Sequence, residues 1–100
     1  MNKYQELIKD LESEYNYLTN AVETYSEECQ GFQSKCVRYS KQIVEYVKAR
    51  EENNETEARN MFETCKAKRD EARSTYYAYK DSSRAIKRVL DKAKEENNNE

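Results

Sequence analysis

Residues 4–46 read YQELIKDLESEYNYLTNAVETYSEECQGFQSKCVRYSKQIVEY and place an apolar or half-apolar residue at alternating steps of four and three. This 3.5-residue repeat holds for six heptads, and only a supercoiled helix satisfies it over that length. The a and d positions of such a helix form the seam by which it packs on another helix. The predicted seam residues are Tyr4, Ile8, Leu11, Tyr15, Leu18, Val22, Tyr25, Cys29, Phe32, Cys36, Tyr39, Ile43 and Tyr46.

A second and weaker series follows with the same spacing. It consists of Ala58, Phe62, Cys65, Arg69, Ala72, Tyr76, Tyr79, Ser83, Ile86, Leu90 and Ala93. The polar run 51–57 separates the two series and offers Asn54 as a helix N-cap, with Glu57 three residues later. The competing structure is one unbroken helix of about 95 residues, since no residue of the run forbids helix. Continuity, however, requires a four-residue stutter at the polar run.

We therefore predict an all-α fold, a two-helix antiparallel coiled-coil hairpin that can pair with a second copy as a four-helix bundle. The hairpin is predicted as a single domain over residues 1–96, with helix 1 at about 2–52, the turn at about 53–55, helix 2 at about 56–96, and a disordered tail at 97–100. Centring the turn on Asn54 places Tyr46 opposite Phe62, and Ile43 opposite Cys65. This register leaves no two cysteines facing each other, so it predicts no internal disulfide.

The composition is 36% apolar and 38% charged, with one glycine and no proline among 100 residues. Such a chain can bury a narrow seam but not a thick core, and it contains no apolar run that could span a membrane. The N-terminal residues lack the basic and apolar regions of a secretory signal. We therefore expect a cytoplasmic protein with reduced cysteines.

The residue types exclude most catalytic and metal-binding chemistry. The chain has no histidine, which removes Ser-His-Asp and Cys-His catalysis and most zinc sites. Cys29, Cys36 and Cys65 occupy seam positions, where a small soft side chain packs well, so they are interpreted as structural. We expect no enzymatic activity, no catalytic or metal-binding residue, no cofactor and no small-molecule substrate.

The e positions of the second helix are all basic and define the basic edge, namely Lys66, Arg73, Lys80, Lys87 and Lys94. Across the seam they face Ser40, Gln33, Ser26, Thr19 and Glu12, of which only Glu12 is acidic. This edge could dock an acidic protein or follow a phosphate backbone. Alternatively, the long side chains cover the rim of the seam with their methylene groups. The net charge of −2 argues against strong binding of nucleic acid.

The c and g positions bring small side chains together on the opposite edge. This small-residue edge comprises Tyr17, Ala21, Thr24, Gly31, Ala78, Ser82, Ala85 and Val89. Small residues let another helix approach closely, although they could equally fill a solvated face. Seven of the nine tyrosines fall in the seam, so Tyr17 and Tyr77 are the better candidates for recognition.

The two-helix plan with a central turn resembles the WXG100 class of small type VII secretion proteins, but its Trp-x-Gly is replaced here by Glu52-Asn53-Asn54-Glu55. The Tyr-, Lys- and Asn-rich style resembles small phage and mobile-element proteins. Our leading hypothesis is a protein-binding adaptor or inhibitor that occupies a surface of a larger protein. The alternatives are a homo-oligomeric coiled coil or a type VII secretion companion, and a weak nucleic-acid binder along the basic edge.

Overall fold

The computed structural model describes residues 3–99 and contains two long helices, α1 (Lys3–Ala49) and α2 (Glu52–Asn98). The helices pack against each other, which confirms the predicted all-α helical hairpin. No helix in the described part of the chain has both the length and the apolarity needed to cross a bilayer.

The seam predicted from the heptad repeat is the surface that the two helices bury. Every residue of both series is buried or half-buried, including the polar seam residues Arg69 and Ser83. Most residues between the seam positions are exposed. The 3.5-residue period therefore identified the buried stripe of each helix correctly.

The turn lies at Arg50 and Glu51, so the prediction of a turn at 53–55 was wrong. Arg50 has a φ of 59°, its N–H donates to the carbonyl of Val47 at 3.2 Å, and the N–H of Glu51 donates to the carbonyl of Tyr46 at 3.0 Å. These two bonds and the left-handed residue are a Schellman motif, which ends a helix within two residues.

The second helix accordingly begins earlier than its sequence suggests. The carbonyl of Glu51 accepts the N–H of Glu55 at 2.9 Å, so Glu51 is the residue that precedes the first turn of α2. Asn54 is inside that turn and is not the predicted cap. Glu52 and Glu55 place negative charge at the N-terminus of α2, where the helix dipole favours it.

The far end of α2 also differs from the prediction. Residues 97 and 98 continue the helix, whereas the sequence predicts a disordered tail over 97–100. Asn97 is half-buried rather than fully exposed. Residues 1, 2 and 100 lie outside the described range, and with them the predicted start of helix 1 at about residue 2.

The chain divides into two compact units. The terminal unit combines Met1–Thr24 with Thr75–Glu100, and the turn unit is Tyr25–Ser74. In the terminal unit the buried apolar residues are Leu18, Leu90 and Ala93. In the turn unit they are Cys36, Ala58, Cys65 and Ala72.

The register of the hairpin is displaced by one heptad from the predicted one. In the turn unit, Arg69 donates a hydrogen bond to Gln33 at 2.8 Å, although the predicted register places Arg69 opposite Tyr39. Cys29 donates through its Sγ to the carbonyl of Arg69 at 3.8 Å, and Tyr46 shares a groove with Asn54. The pairing that follows places Phe32 beside Arg69.

The terminal unit shows the same displacement within itself. The ammonium group of Lys87 lies 5.7 Å from the ring centroid of Tyr15. The predicted register instead places Tyr15 opposite Ala93. A shift of seven residues returns every a and d position to the seam. The repeat alone therefore cannot distinguish the two registers, and the two-residue turn selects the observed one.

Candidate functional site

The small-residue edge of the terminal unit presents one large aromatic side chain among small ones. Tyr17 is 59% exposed, and its ring meets that of Tyr79 edge-on at 6.5 Å and 71°. Ala78, Ser82, Ala85 and Val89 are exposed, while Ala21 is half-buried. Thr24 is exposed, and its hydroxyl donates to the carbonyl of Asn20 at 3.0 Å. This surface combines an aromatic ring held in place with room for an approaching helix.

Gly31 belongs to the turn unit, whereas the other residues of the predicted edge belong to the terminal unit. It is exposed, and a Cβ built on it would meet no described atom within 4 Å. The chain itself therefore gives no packing reason for glycine at this position. A mid-helix glycine costs about 1 kcal/mol relative to alanine, and nothing in the turn unit offsets that cost.

Tyr77 is the second tyrosine that the sequence places outside the seam. It is 54% exposed, and its ring meets that of Tyr76 edge-on at 5.1 Å and 68°. Its heptad position is b, which is on the side of α2 that carries Lys80, not on the small-residue edge. Tyr17 and Tyr77 therefore face different edges of the terminal unit.

The basic edge of the terminal unit makes contacts within the chain. Lys80 lies over the ring of Tyr76 at 5.4 Å, Lys87 pairs with Asp91 at 3.2 Å, and Lys94 pairs with Glu12 at 3.3 Å. The last pair confirms the predicted contact between Lys94 and Glu12. These contacts favour the interpretation in which the lysines cover the rim of the seam.

The basic edge of the turn unit is less engaged. Lys66 and Arg73 are both exposed, and neither forms an ion pair with any residue in the range 3–99. Two isolated cations are a small electrostatic footprint compared with the stripe that a phosphate backbone requires. This unit therefore adds little support to nucleic-acid binding.

An apolar strip on α1 in the turn unit was not predicted from the sequence. Val37, Val44 and Val47 are each close to half-exposed, and Val44 reaches 51%. Val44 also lines a groove with Ser40, Ile43 and Phe62, so the strip borders the seam. The signal was present in the spacing, because Val37 and Val44 are one heptad apart at b positions and Val47 follows at e. The strip was not predicted because the seam positions already explained most of the apolar residues of that helix.

Arg69 is the most elaborately hydrogen-bonded side chain of the turn unit. Its side chain is 18% exposed, and besides Gln33 it donates from Nε and Nη2 to Oδ1 of Asp70 at 3.1 and 2.9 Å. The hydrogen bond to Asp70 and the charge of Asp70 raise the pKa of this guanidinium above its usual value, with smaller contributions from Cys36 and Cys29. Arg69 is thus a charged seam residue whose three guanidinium nitrogens each donate a hydrogen bond.

The chemistry available to the described residues is limited. No group of three or more Cys, Asp or Glu side chains between residues 3 and 99 is arranged to hold a metal ion. The three cysteines are free thiols, with Cys36 and Cys65 buried and Cys29 half-buried. No family model, curated protein or solved structure matches this chain. The function is therefore inferred from the exposed surfaces of the hairpin.

Proposed function

We propose that this chain is a protein-binding module, an adaptor or inhibitor, that occupies a surface of a larger protein through the small-residue edge of its terminal unit. The observation that carries the proposal is Tyr17, which is the most exposed large apolar side chain among residues 3–99 and whose ring contacts that of Tyr79 edge-on. An exposed aromatic ring among small residues is typical of an interface hot spot.

The neighbours of Tyr17 support the same role. Ala78 and Ala85 are one heptad apart on α2 and both exposed, and Val89 adds apolar area beyond them. Small side chains of this kind let a partner helix come close enough for dispersion contacts along its length. The hairpin also gains from such a helix, because a single seam leaves a small domain marginally stable.

The decisive variant is Ala78→Glu combined with Ala85→Glu. Both residues are exposed, so helicity by circular dichroism should be unchanged, while two carboxylates on the edge should disrupt any complex formed there. The matched control is Ala67→Glu, an exposed alanine of α2 in the turn unit. Affinity purification from the native host, with quantitative mass spectrometry, should lose partners with the double variant and keep them with the control.

Light scattering, a basic-edge variant and nucleic-acid binding distinguish the alternative functions from the proposed one. If light scattering shows a dimer that the double variant converts to a monomer, the edge serves self-association. If the basic-edge variant Lys80→Glu with Lys87→Glu abolishes assembly while Ala78→Glu with Ala85→Glu does not, the proposed surface is wrong. Tight binding of DNA or RNA that weakens steeply with added salt would favour the nucleic-acid hypothesis over protein binding.

A further inference from the structure

The observed register places two cysteines at the same level of the turn unit. Cys36 lies 14 residues before Arg50, and Cys65 lies 14 residues after Glu51. The two residues are therefore equidistant from the turn on antiparallel helices. The predicted register instead placed Cys65 opposite Ile43, so the expectation of no facing cysteines rested on a pairing that the structure corrects.

Independent contacts support this placement. Cys36 shares a groove with Phe62 and Arg69, which lie three residues before and four residues after Cys65 on α2. Those two residues are the seam neighbours that bracket Cys65. Cys36 and Cys65 are 3% and 6% exposed, which is consistent with both thiols pointing into the seam.

The separation of facing seam residues is compatible with a covalent bond. Helix axes that pack about 8–10 Å apart, with Cα atoms at a radius of about 2.3 Å, bring directly facing Cα atoms to roughly 3.5–5.5 Å, and seam positions off the line between the axes lie somewhat further apart. A disulfide requires Cα atoms at about 4.4–6.8 Å. Ala72, the next seam residue on the d side of α2, is small and buried, so the helices can approach closely here.

We infer that Cys36 and Cys65 form a facing dithiol that a disulfide oxidant converts into a bond between α1 and α2. With glutathione disulfide as the oxidant, one protein thiolate attacks it to give a mixed disulfide and releases one glutathione. The second thiolate then displaces the other glutathione and closes the protein disulfide. The two protein thiols lose two electrons and two protons, and one glutathione disulfide becomes two glutathione thiols. The product fastens the turn unit with a redox-sensitive cross-link, and this inference does not depend on the proposed function.

Cys29 provides the internal control. It lies seven residues before Cys36 on the same helix, about 10 Å along the axis, which is too far for a bond between them. Its Sγ is engaged with the carbonyl of Arg69, one layer further from the turn. A bridge formed by the native hairpin should therefore exclude Cys29.

The test is equilibration of the full-length chain at low concentration in glutathione redox buffers, followed by acid quenching, alkylation and peptide mapping. The expected product is a monomer that has lost two hydrogens, with Cys36 linked to Cys65 and Cys29 alkylated. Cys29→Ser should form the same bridge, whereas Cys36→Ser and Cys65→Ser should each form no internal bridge. Because both thiols are buried, exchange proceeds through local opening, and the equilibrium rather than the rate is the quantity to measure.

A second measurement separates a native dithiol from a chance oxidation. The equilibrium constant for forming the bridge should be roughly a hundredfold larger in buffer than in 8 M urea, because a bond that fits the native fold stabilises it. The oxidised chain should correspondingly melt at a temperature higher by roughly 10 °C or more. A bridge that includes Cys29, or an equilibrium constant that is not larger in buffer than in urea, would overturn the inference.

Discussion

The terminal unit and the turn unit bury the same heptad pattern with different side chains. The terminal unit buries Leu18 and Leu90, whereas the buried residues of the turn unit are two cysteines and two alanines. The turn unit instead contains the hydrogen bond between Arg69 and Gln33 and the Schellman turn. Apolar burial is non-directional, while a hydrogen bond and a tight turn fix which residues meet. The buried leucines thus lie in the terminal unit, whereas the hydrogen bonds that specify the register lie in the turn unit.

The two units also differ in the surfaces that they leave exposed. The terminal unit presents tyrosines braced by other tyrosines and lysines that pair within the chain. The turn unit presents Val37, Val44 and Val47 and two basic residues without ion pairs in the described range. Tyrosine is enriched among interface hot spots, whereas valine is under-represented there. This difference is why the proposed binding surface is in the terminal unit.

The largest effect is expected from truncating the apolar core of the terminal unit. Leu90→Ala should lower the free energy of unfolding by about 3 kcal/mol, because it removes a buried leucine side chain and leaves a cavity. Cys65→Ala in the turn unit should cost only about 1 kcal/mol, since it removes a single buried sulfur atom. The measurement is urea unfolding followed by circular dichroism in reducing buffer.

The exposed neighbour of Leu90 serves as the control for that comparison. Val89→Ala should change the free energy of unfolding by less than about 0.5 kcal/mol, because the side chain is about half-exposed. Equal losses of unfolding free energy for Leu90→Ala and Cys65→Ala would contradict the prediction, because the two units would then contribute equally to apolar stabilisation.

An intermediate effect is expected from the polar pair of the turn unit. A double-mutant cycle with Arg69→Leu and Gln33→Ala should give a favourable coupling energy, because the guanidinium of Arg69 donates a hydrogen bond to Gln33 across the seam. Arg69→Leu alone should lower the free energy of unfolding only slightly, because leucine packs better in the apolar seam and partly offsets the lost hydrogen bond. A polar seam residue commonly specifies register at some cost in stability.

The register itself can be trapped in the same background. In a chain carrying Cys65→Ser and Ala72→Cys, the observed register places the new thiol opposite Cys29, while the register predicted from the sequence places it opposite Cys36. Peptide mapping after oxidation should find the bond to Cys29, and adding Arg69→Leu should raise the fraction bonded to Cys36. If Arg69→Leu leaves that fraction unchanged, the turn alone sets the register.

The smallest effect is expected at the turn. Arg50→Gly should raise the free energy of unfolding by about 0.5–1 kcal/mol, because glycine adopts a positive φ without the steric cost that an L side chain meets. Glu45→Gly, at an exposed position inside α1, should lower it by about 1 kcal/mol and is the matched control. Thermal unfolding of both variants checks the prediction, and destabilisation by Arg50→Gly would contradict the Schellman geometry.

The amino-acid sequence by itself determined the helical class, the hairpin and the identity of the buried residues. Steps of four and three over residues 4–46 and 58–93 suffice, because only one face of a helix can satisfy them. The same pattern predicted that Tyr17 and Tyr77 are exposed. It also predicted the contact between Lys94 and Glu12, which is an e position facing an e position in either register.

Only the tertiary structure decided where the chain reverses and which residues face each other. The heptad repeat is unchanged by a shift of seven residues, so the period that reveals the seam contains no information about register. The choice depends on a non-glycine residue accepting a left-handed conformation at Arg50, and on Arg69 finding Gln33 across the seam. The first is a local geometry that the residue types at the turn do not reveal, and the second is a contact between residues 36 positions apart. Together they place Cys36 level with Cys65 rather than with Ala72.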